Sequence, residues 1–191
     1  GVKVIYTHNS GESGPAGSWD HSKTGYFNRK NVSPSANPRT NVNTARPYLM
    51  FRYAEVLLNY IEALNEYDSS NPDVLKYLNA IRERAGIPQF GEGASPLPVP
   101  TSQNEIRELI RHERKIEMAF EHMRYFDTRR WKIAEQTDAG PFYGMNISAD
   151  PPAFYQRTVF ERRVFRKSYY FFPIPQAEIN KNRNLVQNPG W

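Results

Sequence analysis

The chain has 191 residues, a net charge of +5 and no cysteine. That is enough length for one domain with a real core. The missing cysteine excludes a disulfide framework, a thiolate nucleophile and a Cys-ligated metal within this chain. No apolar run approaches membrane-spanning length, and the start, GVKVIYTHNS, has neither Met nor a signal-peptide pattern, so the chain reads as a piece of something longer. The basic excess lies in residues 23–46 and 157–167, whereas acids slightly outnumber bases between Glu105 and Glu121. Neither basic stretch contains a nucleic-acid module, so the sequence alone favours scattered surface charge.

Residues 2–6 have the content of a short edge strand. Residues 10–24 form a Gly/Ser-rich loop enclosing Trp19, Asp20 and His21, residues 25–30 a short extended piece, and residues 31–44 a further loop. A first helix is expected over residues 46–67, with Pro47 in its first turn. Arg52, Glu55, Asn59, Glu62 and Glu66 make one narrow polar stripe on it and nearly everything else is apolar, which predicts a central helix, wet on that stripe and packed on its other sides. A second helix is punctuated by Asn71 as cap, Pro72 in the first position, Gly86 at the end and Pro88 beyond; Val74, Leu75, Leu78, Ile81 and Ala85 form its buried face. Residues 89–100 are a Gly/Pro loop.

The stretch 102–131 is the hub. Ser102 and Glu105 make a capping-box pattern, and Ile106, Leu109, Ile110, Ile116, Ala119, Phe120 and Met123 fall on one helical side. Arg107, Arg111 and Lys115 line the opposite, wet side. At about 100° per residue, Glu113 enters the apolar side and Glu117 and Glu121 run along its edge. Carboxylates there need arginines from elsewhere. The candidates are Arg52, Arg82, Arg84, Arg129 and Arg130. A break is expected near residues 122–124, then helix over 125–135 carrying Asp127, Arg130 and Trp131. Residues 138–153 read as loop, 159–172 as extended strands and 175–180 as one helical turn; the end of the tail, with Pro189, cannot be helical.

Five segments, in order, resemble the C-terminal part of the SusD/RagB family: RYAEVLLNYIEALNE (52–66), LNAIRERAGIP (78–88), ERKIEMAFEHMRYFDTRRW (113–131), YYFFPIPQAEINKN (169–182) and LVQNPGW (185–191). Gly25-Tyr26 with Arg29-Lys30 fits the run that precedes them. The resemblance covers residues 25–191. It implies a mainly α fold of tetratricopeptide-like hairpins, an α/α superhelix with long irregular loops and a few short strands. It further implies a single domain, the C-terminal portion of a longer protein: an extended segment over 1–44, a helical core over 45–136 and a loop-rich cover over 137–191. Function is implied likewise: a lipid-anchored outer-membrane surface protein, not an enzyme, that binds oligosaccharide or polysaccharide and delivers it to a SusC-like TonB-dependent transporter. No nucleic acid, cofactor or metal is implied, and contact with the membrane is only through a lipid anchor absent from this chain. The matching motifs carry packing and ion pairs, with Arg52, Glu55, Arg82, Arg84, Glu113, Glu117, Asp127 and Arg130 as the network; no ligand residue transfers by motif.

Candidates for chemistry follow from residue types. Glu113 and Glu117 have the spacing of a glycosidase acid/base pair, against which stands an ion-pair network with arginines. His112-Glu113 begins like a zinc-protease motif but residue 116 is Ile, and His8, His21, His112 and His122 lack ligand spacing. Sugar rings present apolar faces that stack on aromatic side chains while polar neighbours bond the hydroxyls. Loop aromatics with such neighbours are Trp19 (with Asp20 and His21), Phe142 and Tyr143 (with Asn146), and Phe154 and Tyr155 (with Gln156). The competing reading is that each ring plugs its own loop onto the core. A helical-hairpin scaffold that binds only protein in the cell envelope is the alternative function.

Overall fold

The computed structural model describes residues 4–30, 32–33, 35–36, 40–42, 44–45 and 48–191. Its elements are α1 (Tyr53–Tyr67), α2 (Asp73–Ala85), α3 (Gln103–Glu117), α4 (Arg124–Arg130), α5 (Ala134–Thr137), β1 (Gly140–Met145), β2 (Arg157–Arg163) and α6 (Gln176–Lys181), with short 3-10 turns at Ala153–Tyr155 and Lys167–Tyr170. The fold is mainly helical with a single two-stranded sheet among the described residues. The chain groups into two compact units, Ser35–Arg124 and a second made of Gly1–Pro34 with Tyr125–Trp191.

In the first unit local signals set the helix ends. Asn71 Oδ1 accepts the Asp73 N–H at 3.1 Å, Pro72 already has helical angles, and Gly86 closes α2 at φ +70° with Ile87 N–H returning to the Arg82 carbonyl at 3.1 Å. Ser102 and Glu105 form the reciprocal capping box of α3. α1 packs on both α2 and α3, and Leu58, Ile61, Val74, Leu78, Ile81, Ile106, Ile110 and Met118 make the core. Burial of such side chains stabilises by about 1.5–3 kcal/mol each. Asn79 is buried too, and clips the following loop by accepting from Phe90 N–H at 2.8 Å and donating to the Phe90 carbonyl at 2.9 Å.

α1 departs from expectation twice. It starts at Tyr53, with residues 48–52 non-helical and Arg46 and Pro47 outside the described residues. Arg52 is held extended because its guanidinium is spent on the end of α3: Nε donates to Glu121 at 2.6 Å, Nη1 to Glu117 Oε1 at 2.5 Å and Nη2 to the Glu117 carbonyl at 2.6 Å. The polar stripe is also only partly wet: Arg52, Glu55 and Glu62 are partly covered, while Asn59 and Glu66 stay exposed. It faces α3 in an antiparallel ladder, Glu66 to Arg107 and Asn59 to Arg114, seven residues along α1 matched by seven back along α3, with Arg52 to Glu121 just beyond the ends of both helices. The outer face instead leaves Tyr53, Val56, Tyr60 and Tyr67 exposed, because α2 and α3 cover α1 from one side only.

α3 ends at Glu117, before the expected break, and the chain turns through Phe120 and His122 at positive φ. Ile116 and Phe120 are consequently exposed rather than on the buried face, while Arg114 is buried. The continuation is broken again by Lys132 at φ +54°, separating α4 from α5.

In the second unit, residues 4–7 and 26–29 carry no regular secondary structure and join no ladder, Gly25 sits in a bend at φ +76° and Lys30 in a turn; residues 1–3 lie outside the described residues. Residues 140–145 form a strand where a loop was expected: Gly and Pro sit at its start, outside the demanding middle of a ladder, and β2 supplies the partner. β1 and β2 are antiparallel, from Gly140 opposite Arg163 to Met145 opposite Arg157, with a bulge at Phe142/Tyr143. Residues 164–172 are not further strand: Lys167–Tyr170 form a 3-10 turn and the residues on either side of it are irregular. The terminal motif clamps this turn: Gln187 bonds Ile174 N–H and C=O, Asn188 donates to the Phe172 carbonyl, and Trp191 Nε1 donates to the Ser168 carbonyl at 3.0 Å while stacking on Tyr169.

Candidate functional site

The site is built from loops seated on the β1–β2 ribbon. Three glycines let residues 6–18 coil on themselves: a Cβ at Gly14 would meet the His8 carbonyl oxygen, and one at Gly17 the Gly11 carbonyl oxygen. Asp150 ties this coil down, Oδ1 accepting from Ser10 N–H at 2.9 Å, Ser10 Oγ at 2.8 Å and His8 Nδ1 at 2.7 Å. The Ser10 backbone and hydroxyl, then His8, hold the Asp150 carboxyl below its ordinary range. A serine, a histidine and an aspartate thus meet, but without hydrolase geometry. The same imidazole nitrogen that bonds Asp150 lies 3.4 Å from Ser10 Oγ, so no separate nitrogen is placed to take the hydroxyl proton.

The coil continues through Trp19 to residues 22–26, which sit directly on β1. Met145 N–H donates to the Thr24 carbonyl at 2.9 Å, and Gly144 is backed against Thr24 so closely that a Cβ would fall 2.7 Å from its Cα. Between this loop and the ribbon runs a groove of about 520 Å³, lined by Lys23, residues 145–148 and residues 158–161. Met145, Ile147, Val159 and Phe160 supply apolar surface; Lys23, Asn146, Ser148, Thr158 and Glu161 supply polar groups. That volume and mixed lining suit a small organic ligand.

The sequence candidates divide around it. Asn146 lines the groove, and its N–H donates to the Phe154 carbonyl. Trp19 stands in solvent, 94% exposed, on the loop that reaches the groove at Lys23. Asp20 is exposed, and His21 bonds the Ser18 carbonyl and reaches Lys23 Nζ at 3.5 Å. Tyr155 is exposed beside Phe154, which is buried and plugs its loop. Phe142 and Tyr143 do not line the groove: each carries a guanidinium on its ring, Arg163 at 4.1 Å and Arg157 at 3.6 Å. Lys23, Ile147, Ser148, Thr158 and Phe160 were not legible as site residues. The sequence reads residues 159–172 as extended, but nothing in it names 140–145 as the partner strand.

The acidic stripe of α3 is placed elsewhere, in the helical unit. Glu113 is 2% exposed and takes Arg82 Nη1 at 2.5 Å; Glu117 takes Arg52 and Arg84, each at 2.5 Å. Burial opposes the Arg52 charge, but its bonds to Glu121 and Glu117 outweigh this and raise its pKa. Glu55 makes no ion pair among the described residues, whereas Asp127 pairs with Arg130, and Arg129 with Asp138. Both glutamates of the supposed acid/base pair are thus occupied by arginines. Among the described residues no group of three or more His, Asp or Glu could hold a metal ion. A second hollow, about 370 Å³, is lined by Tyr125, Phe126, Phe171 and Phe172 with Arg129, Arg130 and Lys132.

A family model for the SusD family matches residues 5–191. The chain belongs to the SusD family. SusD-like protein P2 of Formosa agariphila is 36% identical over 148 residues, covering 75% of this chain and 26% of that protein; SusD-like protein P38 of the same organism is 31% identical over 120 residues, covering 62% and 22%. The solved structure of a SusD-like protein from Bacteroides fragilis superposes with TM-score 0.79 at 28% identity, covering all of this chain and 37% of that one. A SusD-like carbohydrate binding protein from Bacteroides fragilis gives TM-score 0.68 at 33% identity, covering 87% and 34%. The SusD-family chain therefore spans about a quarter to a third of the relatives it matches. Its helices form the hairpins of that fold, and no helix among the described residues is long and apolar enough to cross a membrane.

Proposed function

We propose that the chain binds glycan without cleaving it, as part of an outer-membrane surface lipoprotein that delivers oligosaccharides to a SusC-like TonB-dependent transporter. The observation that carries the reading is the mixed apolar and polar groove at Lys23, on the same loop as the exposed Trp19. An indole with open faces offers a platform to a sugar ring, and Asn146, Ser148 and Thr158 offer hydroxyl partners. The relative described as a carbohydrate binding protein supports the ligand class. Trp19, Asp20, His21, Asn146 and Tyr155, joined by Lys23, are the proposed contacts; Phe142 and Tyr143 hold arginines instead.

Affinity electrophoresis against a polysaccharide panel, with reducing-sugar release followed in parallel, tests this. Retardation by a glycan, weakened in Trp19→Ala and without sugar release, is the expected result. Retardation unchanged in Trp19→Ala removes the platform and keeps the function; sugar release removes the non-catalytic reading. The hollow at Tyr125, Phe126, Phe171 and Phe172, whose rings are exposed, favours a second reading, a contact surface for protein in the cell envelope. Transporter co-purification lost in Phe126→Ser, with no glycan retarding the chain, would select it.

A further inference from the structure

The groove's two banks come from the two stretches in which the positive charge of the sequence is concentrated. Lys23 belongs to one and residues 158–161 to the other, although some 130 positions separate them. The unit formed by Gly1–Pro34 and Tyr125–Trp191 holds 14 Lys and Arg against 8 Asp and Glu, whereas Ser35–Arg124 holds 11 against 12. The whole surplus therefore resides on the unit that carries the groove.

Most acids of that unit are already spent. Asp127 pairs with Arg130, Asp138 with Arg129, Asp150 with His8, and Glu178 with Lys181. Glu161, the acid in the groove wall, is held by Arg163 through Nε at 2.9 Å and Nη2 at 2.8 Å. Lys23, Arg162, Arg166 and Lys167 are exposed and make no ion pair among the described residues. Their charge is left to act outward. Exposed cations of one sign raise the local concentration of anions, and a cation at a groove wall forms the stronger, charge-assisted bond to a carboxylate or sulfate.

We infer that the groove takes an anionic glycan, one bearing carboxylate or sulfate groups, in preference to a neutral one. Lys23 contacts the charge, Met145, Ile147 and Phe160 receive the apolar ring faces, and Arg162, Arg166 and Lys167 draw the polyanion in. The inference rests on the glycan-binding reading above and names its ligand class.

The test measures binding of the chain to polygalacturonate, a sulfated galactan, a neutral β-glucan and duplex DNA in parallel. The expected result is binding to a carboxylated or sulfated polymer that weakens about tenfold or more between roughly 50 and 500 mM salt. Lys23→Gln and Arg162→Gln weaken it about threefold to tenfold each, while Lys115→Gln, an exposed change on α3, leaves it unmoved. Circular dichroism of each variant confirms retained folding. Which of the two anionic polymers is held identifies carboxylate or sulfate as the recognised group. Equal or tighter binding of the neutral glucan, insensitive to salt, overturns the anionic class and leaves glycan binding standing. Equal binding of DNA also overturns it, since the groove would then add nothing to general attraction for polyanions. Binding of none of the polysaccharides overturns both readings.

Discussion

Arg82 Nη1 donates to Glu113 Oε2 at 2.5 Å, with the two side chains only 11% and 3% exposed, and the same guanidinium donates through Nε to the Pro88 carbonyl at 2.6 Å. One arginine thereby joins the end of α2, the loop after it and the middle of α3. Removing one member of a buried pair strands the other charge, at a cost of about 3–5 kcal/mol. Glu113→Gln should lose about that much in urea unfolding. Arg82→Met with Glu113→Leu should recover a large part, since apolar replacement of both partners is often close to neutral. A loss below about 1 kcal/mol in Glu113→Gln would show that the pair behaves like a surface one.

The ladder between α1 and α3 predicts a gradient rather than one value. Glu66 and Arg107 meet at its open end, 48% and 24% exposed, so Glu66→Gln should cost no more than about 1 kcal/mol. Arg52 lies at the other end and forks onto two carboxylates and a carbonyl, which an ammonium cannot reproduce. Arg52→Lys should cost about 1.5–3 kcal/mol despite keeping the charge. Equal costs at both ends, measured by chemical unfolding, would refute the gradient.

These two helices also show what can be read from a sequence and what cannot. α2 and the start of α3 were legible because their signals are local: Asn71, Pro72, Gly86, Ser102 and Glu105 act within a few residues of where they stand. The need of the acidic stripe for arginines was legible from period and charge. Which side of α1 would be covered was not. Its polar stripe and its apolar face are equally clear in the sequence, but only the position of α3 makes the polar stripe a seam and leaves Tyr53 and Tyr67 in solvent. The groove was legible only in part. Asn146, a candidate in the sequence, lines it and Trp19, another, does not, while Lys23 and Phe160 become neighbours only through the pairing of β1 with β2 and the seating of Thr24 on Gly144.

The tie at Asp150 should respond to acid. Its carboxyl lies below the ordinary value of 3.8 because Ser10 N–H, Ser10 Oγ and His8 favour the charged form. A depressed carboxylate contributes stability that is fully present above the unfolded value and is lost as pH falls through the folded one. The coil of residues 6–18 should therefore hold at neutral pH and loosen as pH drops from about 3.8 downward. Hydrogen exchange at Ser13 N–H, which donates to the Tyr6 carbonyl, should accelerate in that range beyond its intrinsic rate. In Asp150→Asn the acceleration should vanish, the amide being fast throughout. Protection at Ser13 that is equally strong in both proteins would mean that the tie does not hold the coil.

Gly144 offers the sharpest separation of site from fold. A Cβ there would lie 2.7 Å from Thr24 Cα and 2.8 Å from its carbonyl oxygen, both backbone, so the loop itself must move. That loop carries Lys23 at the groove and leads back to Trp19. Such overpacking costs about 1–3 kcal/mol. It acts on the ribbon, none of whose residues belongs to the core of α1, α2 and α3. Gly144→Ala should thus keep the helical signal at room temperature while weakening glycan retardation at least as much as Trp19→Ala. Gly140→Ala is the matched control. Nothing lies within 4 Å of a Cβ there, so the change brings only the strain of φ +87°, about 1–2 kcal/mol, and should leave retardation alone. If both alanines weaken binding equally, general softening of the ribbon explains the loss. If neither does, the contact between Thr24 and Gly144 has no part in shaping the groove.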